Sequence, residues 1–199
     1  MTDDQDFSLE NAANQAQKIQ LRTALLANRK VIPEKTRLAL DNEIAKRTIA
    51  WIEKLIKVQS DAVIGVYWPI RGEPDLRPAY AKLASLGVAL ALPVVVDEDA
   101  PLRFLHWTPG EAMTQDRFGV AVPVKEDIVR PQALLIPCVG FNQQRRRLGY
   151  GGGFYDRTLA TTPRPQTAGI AYDCGFAEFA SASHDIAMDV IFTETKIFL

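Results

Sequence analysis

The sequence is poor in cysteine: Cys138 and Cys174 are the only two among 199 residues. Two thiols cannot build a disulfide framework, and they lack the close spacing of a structural zinc site. Long apolar runs are missing as well. The longest nearly apolar stretch, residues 87–96, is interrupted by Pro93 and falls far short of the roughly 20 residues that span a bilayer. Neither sign of charge is in excess, with 23 basic against 24 acidic residues and a net charge of −1. No global field therefore points to a nucleic acid or a membrane surface as partner. The opening MTDDQDFSLE is acidic where a signal peptide is basic and then apolar, so a cytoplasmic location is expected. What is present is the balance of a folded domain, 47 % hydrophobic and 24 % charged residues. At this length roughly 70 % of the unfolded surface can be buried, enough for one core without staples. A single domain and a monomer are the defaults.

Residues 1–16 are mostly polar, show no periodic apolar face, and read as a flexible extension before a domain over 17–199. From residue 16 to 30 the propensity turns helical. At 100° per residue, Lys18, Arg22 and Arg29 fall within about 40° of one another, so one helix face is cationic. A second helix, with Pro33 in its first turn, is expected to run to residue 58, because Leu38, Ala45, Ile49, Ile52 and Ile56 keep a 3.6-residue apolar period. Short runs rich in Val, Ile and aromatics follow, each closed by Pro or Gly. They predict strands at 62–67, 88–94, 103–107, 133–138, 167–172 and 190–193. Residues 75–86, with Asp75 as a candidate N-cap, supply a crossover helix between the first two strands. The pattern predicts an α/β fold: a single-domain, open, mostly parallel twisted sheet with helices on both faces, in three Rossmann-like layers. Residues 133–138, apolar throughout, suit a central strand.

The strongest chemical signal is RRRLGYGGGFYDR at 145–157, just after that central strand. Gly149, Gly151, Gly152 and Gly153 let the backbone take positive φ and approach a ligand with no Cβ in the way. Phe154 to Arg157 read as the first turn of a helix, whose free N–H groups and partial positive charge favour an anion. With Arg147 beside it, the segment suits a polyphosphate. It is neither a Walker A loop, since no Lys-Ser or Lys-Thr follows, nor the dinucleotide fingerprint, since Phe occupies position 154; a glycine-rich turn without ligand has the same composition. Asp156 either caps the helix or holds Mg²⁺ on phosphates, and Asp185 or Asp189 in HDIAMD can complete such a site, since Mg²⁺ needs only one or two carboxylates. His184 beside Asp185 reads as a loop hydrogen bond rather than a metal dyad. In YWPIRGEPDLRP, 67–78, three prolines stiffen a loop in which Gly72 allows a turn that presents Glu73 past the strand's carboxyl end. There Glu73 accepts from a heterocycle's N–H groups or pairs with Arg71 or Arg77. Tyr67, Trp68, Phe104, Trp107 and Phe118 are aromatic candidates for stacking on a flat ligand or for the core.

These segments, RLGYGGGFYDRTL with PIRGEPD, KIQLR, FGVAVP and HDIAMDVIFTE, occur in the order that resembles the 5-formyltetrahydrofolate cyclo-ligase family, over residues 17–195. The resemblance implies an open α/β sheet and an ATP-dependent closure of 5-formyltetrahydrofolate to 5,10-methenyltetrahydrofolate with release of ADP and phosphate. It further implies that Lys18, Arg22, Arg147, Leu148, Gly149, Tyr150, Gly151, Gly152, Gly153, Phe154 and Tyr155 bind ATP. Trp68 and Glu73 would contact the folate, Arg147 and Asp156 would act in catalysis, and Asp156 with Asp185 would hold Mg²⁺. The chain departs from the family pattern at Val122, where Glu is usual, and at Asn142 and Arg145, where Asp and Gly commonly precede Arg-Leu-Gly; Arg145 and Arg146 read as solvated. A sugar-phosphate isomerase-like enzyme and a non-catalytic nucleotide- or folate-binding module are the alternatives, and neither requires ATP turnover.

Overall fold

A computed structural model describes residues 3–180 and 185–199, with side chains from residue 14 onward. Helix α1, Asp3–Lys30, starts well before residue 16, because no Pro or Gly interrupts the chain before Pro33 and acidic residues favour a helix N-terminus. Helix α2, Glu34–Val58, follows directly, with Pro33 as its N-cap. Strand β1 is Val63–Gly65, and helix α3, Arg77–Ser85, crosses to β2, Ala89–Val94. Leu76, not Asp75, holds the N-cap position of α3, although Asp75 still accepts the Arg77 N–H at 3.0 Å. Next come β3, Arg103–Trp107, the hairpin β4, Met113–Gln115, with β5, Ala121–Pro123, and β6, Ile128–Val129. The second half holds β7, Ala133–Pro137, the pair β8, Gly140–Phe141, with β9, Arg147–Leu148, and helix α4, Phe154–Leu159. It closes on β10, Gln166–Ile170, β11, Val190–Phe192, and β12, Ile197–Phe198.

The main sheet has the order β12-β11-β10-β7-β1-β2-β3-β6. Five neighbouring strands, β11, β10, β7, β1 and β2, run parallel; β12 and β3 run against them at either side, and β6 pairs antiparallel with β3 at the edge. β3 departs from the parallel expectation because only eight residues separate it from β2, and a parallel return needs a crossover of a dozen or more. Alternation along β7 splits the core. Leu135 packs with Ile44, Ile52, Tyr80 and Leu83 of α2 and α3; Leu134 and Ile136 face Leu159 of α4, Phe141 and Met188. Burying one such Leu or Ile stabilises by roughly 1.5–3 kcal/mol, which fixes the helices on the two faces. α1 joins neither layer. Leu25 packs on Val139, Leu148 and Phe179 beyond the carboxyl end of β7. Gly140 permits this approach, since a Cβ there would meet Leu25 Cδ1 at 2.4 Å. Connections leave β1 toward β2 on one side, and β7 lies on the other. The crevice between the carboxyl ends of β1 and β7 is therefore the topological switch point where open α/β sheets bind ligands.

Candidate active site

A cleft of about 1130 Å³ opens at that switch point, above the roughly 300–1,000 Å³ typical of a pocket for one drug-sized ligand. Segments 67–73, 147–157, the β4–β5 hairpin, α1 and Asp185 line it. Two arms differ in chemistry.

The first arm is the glycine loop between β9 and α4. Its carbonyls hold it in place: Gly149 O accepts Arg22 Nε at 2.8 Å, Gly152 O accepts Arg157 Nη2 at 2.7 Å, and Gly153 O accepts the Arg157 N–H at 3.0 Å. Among the described residues no acceptor takes the N–H groups of Tyr150, Gly151, Gly152 or Gly153. Gly151, at φ 99°, sits where side chains other than glycine's are strained. Arg147 Nη2 pairs with Asp156 Oδ1 at 2.7 Å, the two side chains being 6 % and 25 % exposed. Arg147 Nη1 is buried with no partner among the described residues. Asp156 therefore faces Arg147 and does not cap α4, which has no side-chain cap. The cationic face of α1 lies across this arm: Lys18 Nζ meets Asp185 Oδ2 at 2.8 Å, and burial pulls the Arg22 guanidinium down while Asp185 opposes it. Phe118, at the tip of the β4–β5 hairpin, meets the Phe154 ring edge-on at 6.2 Å.

The second arm is the loop after β1. Glu73 is 3 % exposed and forms neither of the ion pairs that its sequence context offers: Arg77 binds Asp75, and Arg71 stacks on the Tyr150 ring at 5.0 Å. Glu73 Oε2 instead accepts the Ile70 N–H at 2.9 Å and Oε1 the Tyr150 hydroxyl at 3.0 Å. Burial pushes this carboxyl up to about 7, against the pull of those two donors and of Arg29 and Arg71. Trp68 lines the same arm between Arg77 at 5.1 Å and the edge of Trp107 at 6.1 Å. Of the other aromatic candidates, Phe104 and Trp107 are core side chains, and Tyr67 is buried with its hydroxyl on Pro74 O at 2.6 Å.

Asp185 lines the cleft, whereas Asp189 binds the Thr167 N–H and hydroxyl at 2.7 and 2.8 Å. His184 lies outside the described residues. Arg145 and Arg146 are not solvated as expected: Arg145 Nε donates to Met188 O at 3.0 Å, and Arg146 donates to Asp185 O. Asn142 makes the preceding turn by accepting the Gln144 and Arg146 N–H groups, and Arg145 takes the left-handed φ of 59° that favours glycine. Three features escape a reading of the sequence: the Arg147–Asp156 pair, the Arg157 clamp and the Tyr150–Glu73 bond. The first two lie within the one glycine-rich segment, where the bends at Gly151 and Gly153 fold its ends together, and the third joins two segments 77 residues apart.

Fold and site together define a doubly wound α/β protein whose switch-point crevice has one amide-rich, cationic arm and one arm built on a buried carboxylate. The profile of the 5-formyltetrahydrofolate cyclo-ligase family matches residues 14–194. The chain is 33 % identical over 190 residues to the 5-formyltetrahydrofolate cyclo-ligase of Mycolicibacterium smegmatis, covering 90 % of this chain and 94 % of that one. It is 31 % identical over 144 residues to that of Escherichia coli K12, covering 68 % and 79 %. The NMR structure of Aquifex aeolicus 5,10-methenyltetrahydrofolate synthetase matches with a TM-score of 0.74 at 27 % identity, over 90 % of this chain and 91 % of that one. A Mycoplasma pneumoniae 5,10-methenyltetrahydrofolate synthetase, at 24 % identity, shares the fold with a TM-score of 0.73 over 89 % and 98 %. This chain belongs to the 5-formyltetrahydrofolate cyclo-ligase family.

Proposed function

We propose that the protein closes 5-formyltetrahydrofolate to 5,10-methenyltetrahydrofolate at the expense of ATP, releasing ADP and phosphate. The observation that carries this reading is one cleft with two unlike arms, large enough for two ligands and joined by the Tyr150–Glu73 bond. The loop amides and Arg147 Nη1, without partners among the described residues, suit a triphosphate together with Lys18 and Arg22. Glu73, with Trp68 at its side, suits the N–H groups and flat face of a pterin. Asp156 and Asp185 fit Mg²⁺: both are hard oxygen donors lining the cleft beside the phosphate arm, Asp156 paired with Arg147 and Asp185 with Lys18, and phosphate and water oxygens complete such a site. Bound there, Mg²⁺ would neutralise phosphate charge.

The oxygen of an N-formyl group is a poor leaving group, so N10 cannot expel it directly. The formyl oxygen attacks the γ-phosphorus, ADP leaves, and the oxygen becomes part of a phosphate ester on an iminium carbon. N10 then adds to that carbon and gives up its proton to the departing phosphate, whose C–O bond breaks as the methenyl bridge forms. The protein's work is alignment and charge neutralisation. Arg147 and the loop amides face the transferring phosphoryl group, and Glu73 fixes the pterin. The test is to mix the protein with 5-formyltetrahydrofolate and MgATP and follow the methenyltetrahydrofolate absorbance. Growth that requires ATP is expected; no growth, with both ligands bound, would overturn the reading in favour of a binding module.

A further inference from the structure

The third cation of the α1 face has no assigned task. Arg29 is only 3 % exposed and lies deeper than Lys18 and Arg22. Its Nη2 donates to Cys138 O, just beyond β7, and its Nη1 reaches the Tyr150 hydroxyl at 3.4 Å. Arg37 fixes this end of the helix by donating to Arg29 O and Ile32 O, both at 3.4 Å. Because the guanidinium can only donate, the Tyr150 oxygen accepts from it and turns its own proton to Glu73 Oε1, 3.0 Å away. Polarity therefore runs one way along the chain, from a permanent cation through a phenol to a buried carboxylate. Hydrogen bonds arranged in such a series reinforce one another.

We propose that Arg29 and Tyr150 are positioning residues that keep Glu73 in its ionised form, able to accept two N–H bonds from the pterin. This rests on the reading of Glu73 as the folate ligand. A neutral carboxyl has one O–H donor and would oppose a second N–H of the ligand, so its protonation state decides whether folate is held. Two positive charges face Glu73, Arg29 from α1 and Arg71 from its own loop. The remaining titratable neighbours are the phenols of Tyr67, Tyr80 and Tyr155 and the Cys138 thiol. Burial pushes all four up, so they stay neutral around pH 7 and give Glu73 no countercharge. Tyr150, its own hydroxyl likewise pushed up, acts as a donor across the whole working range. Tyr150 as a residue is 37 % exposed and belongs to no core cluster, so its hydroxyl can be removed with little disturbance to the core.

The test uses the full chain with carboxyl-¹³C glutamate, titrated by NMR, with the Glu73 resonance assigned by its loss in Glu73→Gln. Tyr150→Phe should move the Glu73 midpoint up by about one pH unit, the scale of one lost hydrogen bond to a charged form. In parallel, 5-formyltetrahydrofolate affinity is measured by calorimetry from pH 6 to 9. Tyr150→Phe should bind about fivefold more weakly than wild type near pH 7 and equally well at pH 9, a rescue that a merely structural defect would not give. Arg29→Met should shift the midpoint in the same direction if it folds. An unmoved Glu73 midpoint in Tyr150→Phe overturns the proposal whatever the folate data. A moved midpoint with folate binding unchanged in Glu73→Gln leaves the hydrogen-bonded chain standing, refutes its purpose, and removes Glu73 from the folate site.

Discussion

Arg147 and Asp156 form an asymmetric pair, and the asymmetry predicts which partner the fold needs more. The guanidinium is almost fully buried and has one nitrogen without a partner among the described residues, while a quarter of the Asp156 side chain meets solvent. Asp156→Ala leaves a buried cation with no countercharge. Breaking a fully buried pair in this way costs about 3–5 kcal/mol, and water reaching Asp156's place reduces this to about 2 kcal/mol. Arg147→Met leaves a carboxylate that rehydrates, beside a side chain that still fills the apolar volume, at a cost of about 0.5–1 kcal/mol. For a chain of this size 1 kcal/mol moves Tm by roughly 2–4 °C, so the expected losses are about 4–8 °C and about 1–4 °C. Both variants should lower ATP-dependent methenyltetrahydrofolate formation at least about tenfold, or 1.4 kcal/mol of transition-state stabilisation. The assays are thermal unfolding without ligand and the absorbance rate. An equal or reversed order of Tm losses would refute the pairing argument, and unchanged rates in both variants would remove the pair from the phosphoryl site.

Gly149 and Gly151 should part company under substitution. Gly149 has open space where a Cβ would stand and no positive φ, so Gly149→Ala should leave Tm within about 1 °C yet weaken nucleotide binding. Gly151→Ala, at φ 99°, should also cost roughly 1 kcal/mol or more in stability, as calorimetry and urea unfolding together would register. Asp189→Asn should lose about 1–2 kcal/mol of stability by weakening its bonds to Thr167 while the KM for both substrates stays put, whereas Asp185→Asn should raise the KM for MgATP. The opposite pattern in steady-state kinetics would exchange the roles of the two residues.

Much of the architecture is legible because its signals are local. The apolar run at 133–138, the 3.6-residue period of α2 and the Gly-rich turn before α4 each specify one element without reference to another. The antiparallel β3 illustrates the limit: its composition matches the parallel strands, and only the short span from β2 determines its direction. At the site, one helical wheel anticipates that Lys18, Arg22 and Arg29 act on one side, but the wheel carries no depth. Arg29 is buried because α1 packs Leu25 against Val139 and Leu148, which brings its last turns against the end of β7. Likewise Glu73 sits beside both Arg71 and Arg77 in sequence and pairs with neither. Its partner Tyr150 is 77 residues away, and only the strand order that sets β1 next to β7 brings them together.

That strand order also sets a cost. Glu73 lies at the junction of the two arms with its ordinary 4.5 raised to about 7, so between those values the folded chain binds more protons than the unfolded one. Stability therefore falls as pH rises from about 4.5 to about 7 and levels off above. The difference amounts to about 3 kcal/mol at pH 8, since each unit corresponds to 1.36 kcal/mol. Glu73→Gln keeps the shape and an acceptor for the Ile70 N–H but cannot ionise, so it should be more stable than wild type by about 1–3 kcal/mol at pH 8 and indistinguishable near pH 4. Urea unfolding at the two pH values measures this, and equal stabilities at both would show that the carboxyl ionises without penalty. A substitution that strengthens the fold while weakening folate binding marks a residue retained for its ligand, because packing alone would favour the uncharged side chain.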